Sequence, residues 1–336
     1  MKSISPLPLL LCGLLAANLQ SAEPPAKTDP AKKQPAKAPK PPVPVFLTPE
    51  AGGADFRDQG EYADSTTGAQ VIALGKDKFQ LTLLTGGLPG AGWDKQGRVE
   101  IPGQRQGEKI VFTGAGDQSW TLEERVLRSA GDAARGKVLK RVERASPTLG
   151  AKPPAGAIVL FDGTSVEAWQ GGKMDDRKLL MAGAKTKQKF NGFTLHVEFL
   201  LPFKPEGRGQ DRGNSGIYIQ DRYEVQVLDS FGLKGEHNEC GGLYKFAKPA
   251  VNMCFPPLVW QTYDIEFDPP QFDAAGVKTR KAIITVKHNG VVIHDRQELA
   301  GPTGGGQKES PAPGPVQLQN HGNPVFYRNI WLVEKK

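Results

Sequence analysis

The chain has 336 residues, with 43 Lys and Arg against 36 Asp and Glu and a formal net charge of +7. That length holds two domains once the ends are set aside. Lys2 and the five Lys between Glu23 and Pro44, set against Glu23 and Asp29, place +4 of the +7 in the first 44 residues. The basic balance therefore does not indicate a nucleic-acid partner, which would need a positive patch on a folded surface.

Residues 1–22 read as an export signal. Lys2 supplies the positive start, Leu9 to Ala17 the apolar run, and Ser21-Ala22 a small-residue cleavage site. The apolar run is too short to cross a bilayer as a helix, so no integral span is expected in the mature chain. The expected location is secreted, periplasmic or cell-envelope. Residues 23–44 are Pro, Ala and Lys with almost nothing apolar, a composition that stays unfolded as a semi-extended linker.

Residues 45–150 are expected to form a small accessory β-domain. Ala69–Leu74, Lys78–Leu84 and Lys109–Thr113 read as strands, punctuated by Gly86-Gly87, Pro89-Gly90 and Gly114 to Gly116. Trp93 and Trp120 read as core or edge aromatics, and no cluster in this region suggests chemistry. A Pro/Gly-rich stretch from Ser146 to Gly156 marks the boundary. The second domain, 155–336, opens at Ala157. Its strands are expected at Gly192–Leu201, in the two runs of Gly213–Asp229, and at Trp260–Phe267. Further strands are expected at Lys281–His288, Val291–Asp295, Pro315–His321 and Tyr327–Val333. Asn289-Gly290 is the strongest short hairpin signal in the chain. Many short strands with turns between them, hardly any helical periodicity and no repeat argue for an antiparallel sandwich.

Period-two alternation sorts side chains by face. In Gly213–Asp229, Ser215, Ile217 and Ile219 share one face. Asn214, Tyr218 and Gln220 share the other, with Gly216 leaving a gap. Val225 and Val227 oppose Glu224 and Gln226. In 193–201, Thr194, His196 and Glu198 oppose the apolar set; in 315–321, Gln317, Gln319 and His321 do. If these strands are neighbours in one sheet, His196, Glu198, Asn214, Tyr218, Glu224, Gln226, Gln319 and His321 form a single polar face. Amides and carboxylates without Lys suit sugar hydroxyls, which both donate and accept; a merely solvated sheet face would show the same alternation. Glu224 is the best candidate for a proton-transfer group, the alternative being a solvated strand carboxylate. His321 lies at a strand end, where sites collect. His237 and Glu239 sit in a glycine-flanked loop that could close over a ligand. The Lys204–Gly213 loop lacks the ending of a phosphate cradle. Cys240 and Cys254 could close a loop of about 15 residues, worth roughly 3 kcal/mol, or remain two buried thiols. A divalent cation such as Ca²⁺ stays open, because scattered Asp residues and backbone carbonyls leave no signature.

Several ordered motifs carry a resemblance. They are Phe161-Asp-Gly-Thr, Gly213-Asn-Ser-Gly-Ile-Tyr, Tyr223-Glu-Val-Gln-Val-Leu-Asp, Cys240-Gly-Gly-Leu-Tyr, Trp260-Gln-Thr-Tyr, His288-Asn-Gly-Val, and the run from Leu318 to Trp331. Together they resemble the 3-keto-disaccharide hydrolase domain family over roughly 157–334. Residues 45–148 resemble an extension found in some exported members. The resemblance implies an all-β, concanavalin A-like jelly-roll sandwich acting on 3-keto-glycosides or related oligosaccharides. A ketone at C3 acidifies the C2 hydrogen, so such an enzyme needs one base, one donor or cation for the enolate oxygen, and hydroxyl-binding amides. On this reading Glu224 is the base and His321 the acid or enolate-oxygen donor. Asn214, Tyr218, Gln226, Tyr244, Gln319 and Arg328 hold hydroxyls or the carbonyl. A non-catalytic lectin or a surface adhesion protein would use the same fold.

Overall fold

The computed structural model describes residues 43–130 and 136–335. The export signal and the Pro/Ala/Lys segment lie outside these residues, apart from positions 43 and 44. No helix among the described residues is long and apolar enough to cross a membrane.

One helix, α1 (Pro49–Asp58), opens the described chain, and the sequence reading had no helix here. The Thr48 side chain accepts from the Ala51 amide and Pro49 stands at the first turn, a standard helix start. Gly53 breaks the helical geometry with a φ of 60°. Arg105 anchors the helix through Asp55 and Asp58.

Eight strands follow: β1 (Gly60–Ala63), β2 (Thr67–Gly75), β3 (Lys78–Thr85), β4 (Arg98–Gln106), β5 (Lys109–Thr113), β6 (Ser119–Glu123), β7 (Val126–Ser129) and β8 (Val138–Val142). They close into a barrel, β1 pairing β8 antiparallel through Tyr62 opposite Arg141. Closure leaves no edge strand open to aggregation. Tyr62, Val71, Phe79, Leu81, Ile101, Phe112, Trp120 and Leu139 fill its interior.

The remaining strands are β9 (Ile158–Phe161), β10 (Trp169–Gln170), β11 (Leu180–Met181), β12 (Ala184–Thr186), β13 (Phe193–Leu200), β14 (Ser215–Ile219), β15 (Tyr223–Val227) and β16 (Gln261–Asp268). After them come β17 (Gln271–Phe272), β18 (Lys278–Arg280), β19 (Ala282–His288), β20 (Val291–Leu299), β21 (Gln317–Leu318) and β22 (Phe326–Glu334). One sheet runs β10-β12-β21-β14-β15; the other runs β11-β22-β13-β16-β19-β20, with β9 also on β22. Asn289 and Gly290 both have positive φ at the β19–β20 turn, as the Asn-Gly signal predicts. The sheets face each other through Ile217, Ile219, Val225 and Val227 on one side and Leu195, Val197, Phe199, Tyr263, Ile265 and Ile284 on the other. The protein is thus all-β, a sandwich preceded by a β-barrel. The two bodies belong to one unit, Pro42–Lys336. Phe203 of the sandwich packs with the barrel core, against Phe46 and Phe56.

The strands expected to share one polar face do not lie in one sheet. β13 belongs to the larger sheet and pairs β16 and β22, so His196 and Glu198 lie on its outer side, apart from Glu224. That outer side is roofed by the 146–151 segment. Ser146 and Thr148 hydroxyls meet Thr262 at 2.6 and 2.9 Å, and Thr148 donates to Asp264 at 2.8 Å. The Ala151 carbonyl accepts from Asn329 and Trp331. Glu198, 1% exposed, accepts from the Gly150 amide, Arg328 and Asn329 at 2.5, 2.7 and 2.9 Å. His196 bonds Asp264 at 2.6 Å and stacks on Trp331. Burial alone would lower the His196 pKa, but Asp264 and Glu198 raise it on balance.

Burial alone would raise the Glu198 pKa, but His196, Asn329, Arg328 and the Gly150 amide hold it down to about 2. A depressed carboxyl contributes stability above its unfolded pKa, and that stability is lost as pH falls towards the folded value. Glu198→Ala is therefore expected to lower the unfolding free energy by about 3 kcal/mol at pH 7. Urea titrations should show the deficit shrinking between pH 4.5 and pH 2.

Candidate active site

The outer side of the smaller sheet carries the other set of polar residues. Asn214 precedes β14, Tyr218 lies within it, and Glu224 and Gln226 alternate along β15. Tyr218 sits directly opposite Glu224 in the ladder, and Gly216 opposite Gln226. Gln220 and Asp221 turn the hairpin with positive φ at both positions, and the Arg222 amide closes it onto the Ile219 carbonyl. Alternation predicts a wet face here, yet every residue of both strands is buried. Two loops produce the cover. The Gly241–Ala247 segment pairs alongside β15, with the Gln226 amide on the Gly242 carbonyl and the Tyr244 amide on the Glu224 carbonyl. The Ala300–Gly314 segment lies over the hairpin. Thr303 accepts from the Glu224 amide, and Glu309 accepts from Tyr223 and Lys278.

Between these loops and the sheet is a cavity of about 200 Å³, lined by Gln210, Asn214, Tyr218, Glu224, Gln226, Tyr244, Lys245, Gly304, Gly305, Gln319 and His321. A larger hollow of about 700 Å³ lies between α1, the barrel and Phe255–Val259. There Arg141 is held by the Gln59 carbonyl and Arg144 by Glu61, so its main charges are already partnered.

Glu224, 2% exposed, is the sole acidic residue lining the smaller cavity. Its Oε2 accepts from the Tyr218 hydroxyl at 2.8 Å. Its Oε1 lies over Gly216, where a Cβ would come within 2.1 Å of it. Gly216 thus makes the slot that the carboxyl occupies. Gly305, at φ +86°, does the same for the phenol, since a Cβ there would stand 2.8 Å from the Tyr218 oxygen. Burial raises the Glu224 carboxyl to about 7, and the single hydrogen bond from Tyr218 opposes that only in part. Burial and the Glu224 charge push the Tyr218 phenol well above its usual range. Gln226 Nε2 donates to Gln210 and Asn214, both at 3.1 Å, and Asn214 Nδ2 donates back to Gln210. The amide oxygens of Gln226 and Gln319 are buried without a hydrogen-bond partner. Buried acceptors are ordinarily paired, so two open ones in one cavity suit incoming hydroxyl donors.

Seven of the candidate residues converge on this cavity: Glu224, His321, Asn214, Tyr218, Gln226, Tyr244 and Gln319. His321 is exposed at the rim. Arg328 does not join them. It lies on β22 of the other sheet, bonded to Glu198 and with its guanidinium 3.9 Å from the Trp260 ring centroid. Glu239 caps the Gly235 and Glu236 amides instead of facing the cavity. Cys240 and Cys254 are free thiols, not a disulfide. Cys240 is engaged with the Tyr263 hydroxyl at 3.2 Å, and Cys254 points to the Leu228 and Phe255 carbonyls. Gln210 and Lys245 line the cavity without having been singled out from sequence. Among the described residues, no group of three or more His, Cys, Asp and Glu is arranged to hold a metal ion.

A carboxyl raised from 4.5 to about 7 stabilises the fold fully below pH 4.5, and that contribution is lost as pH rises through 7. Glu224→Gln is therefore expected to be more stable than the parent at pH 8, by up to about 3 kcal/mol, and nearly equal at pH 5. Paired urea titrations at the two pH values check this.

One solved structure agrees with the fold of the sandwich. The crystal structure of a candidate glycosyl hydrolase from Parabacteroides distasonis ATCC 8503 superposes with a TM-score of 0.50 at 36% identity, covering 54% of this chain and 85% of that chain. A second structure from the same organism, similarly described, gives 0.41 at 15% identity, with 54% and 95% covered. No curated protein matches. The sequence model for the 3-keto-alpha-glucoside-1,2-lyase-like domain matches residues 156–333. With more than half its length matched, the chain belongs to the 3-keto-alpha-glucoside-1,2-lyase-like domain family.

Proposed function

We propose that this protein cleaves the glycosidic bond of 3-keto-glycosides, beginning with removal of the C2 proton by Glu224. Family membership supports a carbohydrate-active, glycosidase-like enzyme in the coarse sense. The finer reading is carried by one observation: a single buried carboxyl raised to about 7, facing a cavity with no second acidic residue in its lining. Ordinary glycosidases work with two opposed carboxylates, one to protonate the leaving group and one to attack or to activate water. Elimination next to a ketone needs only one base, and a base is most effective with a pKa near the working pH.

The steps follow from the residues present. Glu224 takes the proton from C2, and the C–H pair becomes the C2=C3 bond of an enolate. That pair then moves to form C1=C2, the ketone re-forms, and the bond from C1 to the leaving oxygen breaks. His321, at the rim, protonates the departing oxygen. Water adding across C1=C2 completes a net hydrolysis. Gln226, Gln319, Asn214 and Tyr244 orient the ring hydroxyls, the two open amide oxygens accepting from them. Tyr218 fixes the Glu224 carboxyl. We assign the reaction to the periplasm or the cell exterior, on the strength of the export signal read in residues 1–22.

With a 3-keto-α-glucoside as substrate, kcat/KM is expected to rise with pH through about 7 as Glu224 loses its proton. Glu224→Gln should lower kcat by about 10²–10⁴-fold and abolish exchange of the C2 hydrogen with D₂O. Unchanged turnover in that variant would sink the assignment of the base. Glycan binding by the parent protein without any turnover would make it a lectin.

A further inference from the structure

The elimination leaves one charge to be accommodated. As the C2 proton departs, negative charge grows on the oxygen at C3, and a donor already in place stabilises it best. The residues considered from sequence do not supply that donor. Arg328 is on the other sheet. His321, exposed at the rim, is already assigned to the leaving oxygen. The Tyr218 hydroxyl is committed to Glu224.

Building on the proposed function, we propose that the Lys245 ammonium holds the enolate oxygen. Lys245 is the one Lys or Arg in the cavity lining. It follows Tyr244, whose amide is bonded to the Glu224 carbonyl, so its backbone is tied beside the base. It occupies the tight turn in which the Phe246 and Ala247 amides both return to the Leu243 carbonyl. There its φ is +57°, a left-handed conformation that a side chain other than Gly adopts at a cost. The ammonium lies 5.4 Å from the Tyr244 ring centroid and, among the described residues, forms no ion pair with a carboxylate. In particular it does not pair with Glu224, whose carboxyl is raised by burial and answered only by Tyr218. Lys245 is exposed and Glu224 buried, so base and cation line one cavity without pairing.

In the step itself, Glu224 takes the C2 proton, the C–H pair forms C2=C3, and the C3=O pair moves onto the oxygen. Lys245 donates a hydrogen bond to that oxygen and keeps its proton. The pair then returns to C3=O as C1=C2 forms and the alkoxide leaves, taking a proton from His321 or water. The cation is needed most at the enolate, so its loss should fall on kcat more than on KM.

The test uses the full chain and a 3-keto-α-glucoside, reading kcat, KM and C2 hydrogen exchange in D₂O. Lys245→Met is expected to lose about 10²–10³-fold in kcat, the scale of one missing oxyanion donor, with KM within a few-fold and exchange slowed in parallel. Lys245→Arg should retain part of the activity, and added ethylammonium should restore part of it to Lys245→Met. Lys245→Gly relieves the left-handed backbone, so its melting temperature should match or exceed that of the parent while its kcat falls likewise. That separates a lost cation from a lost fold. Parent-like kcat and exchange in both Lys245→Met and Lys245→Gly overturn the assignment while leaving the keto-glycoside reading intact. A parent protein that turns over no 3-keto-α-glucoside overturns both.

Discussion

Taking the Glu224 carboxyl out of water is the constraint around which the catalytic side of the sandwich is arranged. A carboxylate in a low-dielectric setting resists ionising unless donors or cations compensate. Here the compensation is deliberately thin: one phenol on Oε2 and a slot over Gly216 for Oε1. Three or four donors would hold the group ionised and unreactive. With none it would stay protonated throughout the physiological range. One donor leaves it near 7, where it can both accept and release a proton. The two covering loops serve the same end. Thr303 binds the Glu224 amide, and Tyr244 binds its carbonyl, so the backbone of the base is clamped from both sides.

The two outer faces of the sandwich answer one problem in opposite ways. Each carries a buried glutamate, Glu198 on the interior strand β13 and Glu224 on β15 at the end of its sheet, and each is roofed by a segment from elsewhere in the chain. On the larger sheet Glu198 collects the Gly150 amide, Arg328 and Asn329, with His196 nearby, and falls to about 2. Its oxygens are taken by these donors, so it works as a clasp for the segment joining barrel to sandwich. On the smaller sheet Glu224 is left nearly alone beneath a cavity with two open amide oxygens. Environment, not residue type, divides the structural carboxylate from the reactive one.

The sequence showed much of this, residue by residue. Alternation placed Ile217, Val225, Leu195 and Val197 on inward faces and Asn214, Tyr218, Glu224 and Gln226 on the opposite one, because side-chain direction in a strand is a local property. Asn289-Gly290 was legible as a turn for the same reason. Helix α1 was passed over because Gly52-Gly53 dilutes any helical pattern, although Thr48-Pro49 does carry a start signal. Lys245 was missed because the motif around Cys240 gives no weight to the residue after Tyr244, and only the turn at Leu243–Ala247 brings that side chain over the sheet. The pairing of Cys240 with Cys254 stayed open, since spacing does not tell a thiol spent on the Tyr263 hydroxyl from one poised to oxidise.

Sequence by itself determined the all-β class, the family, and the division of each strand into an apolar and a polar side. Only the tertiary structure decided which polar sides belong together. His196, Glu198 and Arg328 fell away from Glu224 because β13 and β22 joined the larger sheet, while β21 brought Gln319 alongside β14. It also decided that a face expected to be wet is closed over by Gly241–Ala247 and Ala300–Gly314. The physical reason is one of range. Alternation is fixed between neighbours in the chain, whereas strand order and loop cover come from contacts between residues dozens to more than a hundred positions apart. Their free energy is summed over the whole core and is written in no single stretch.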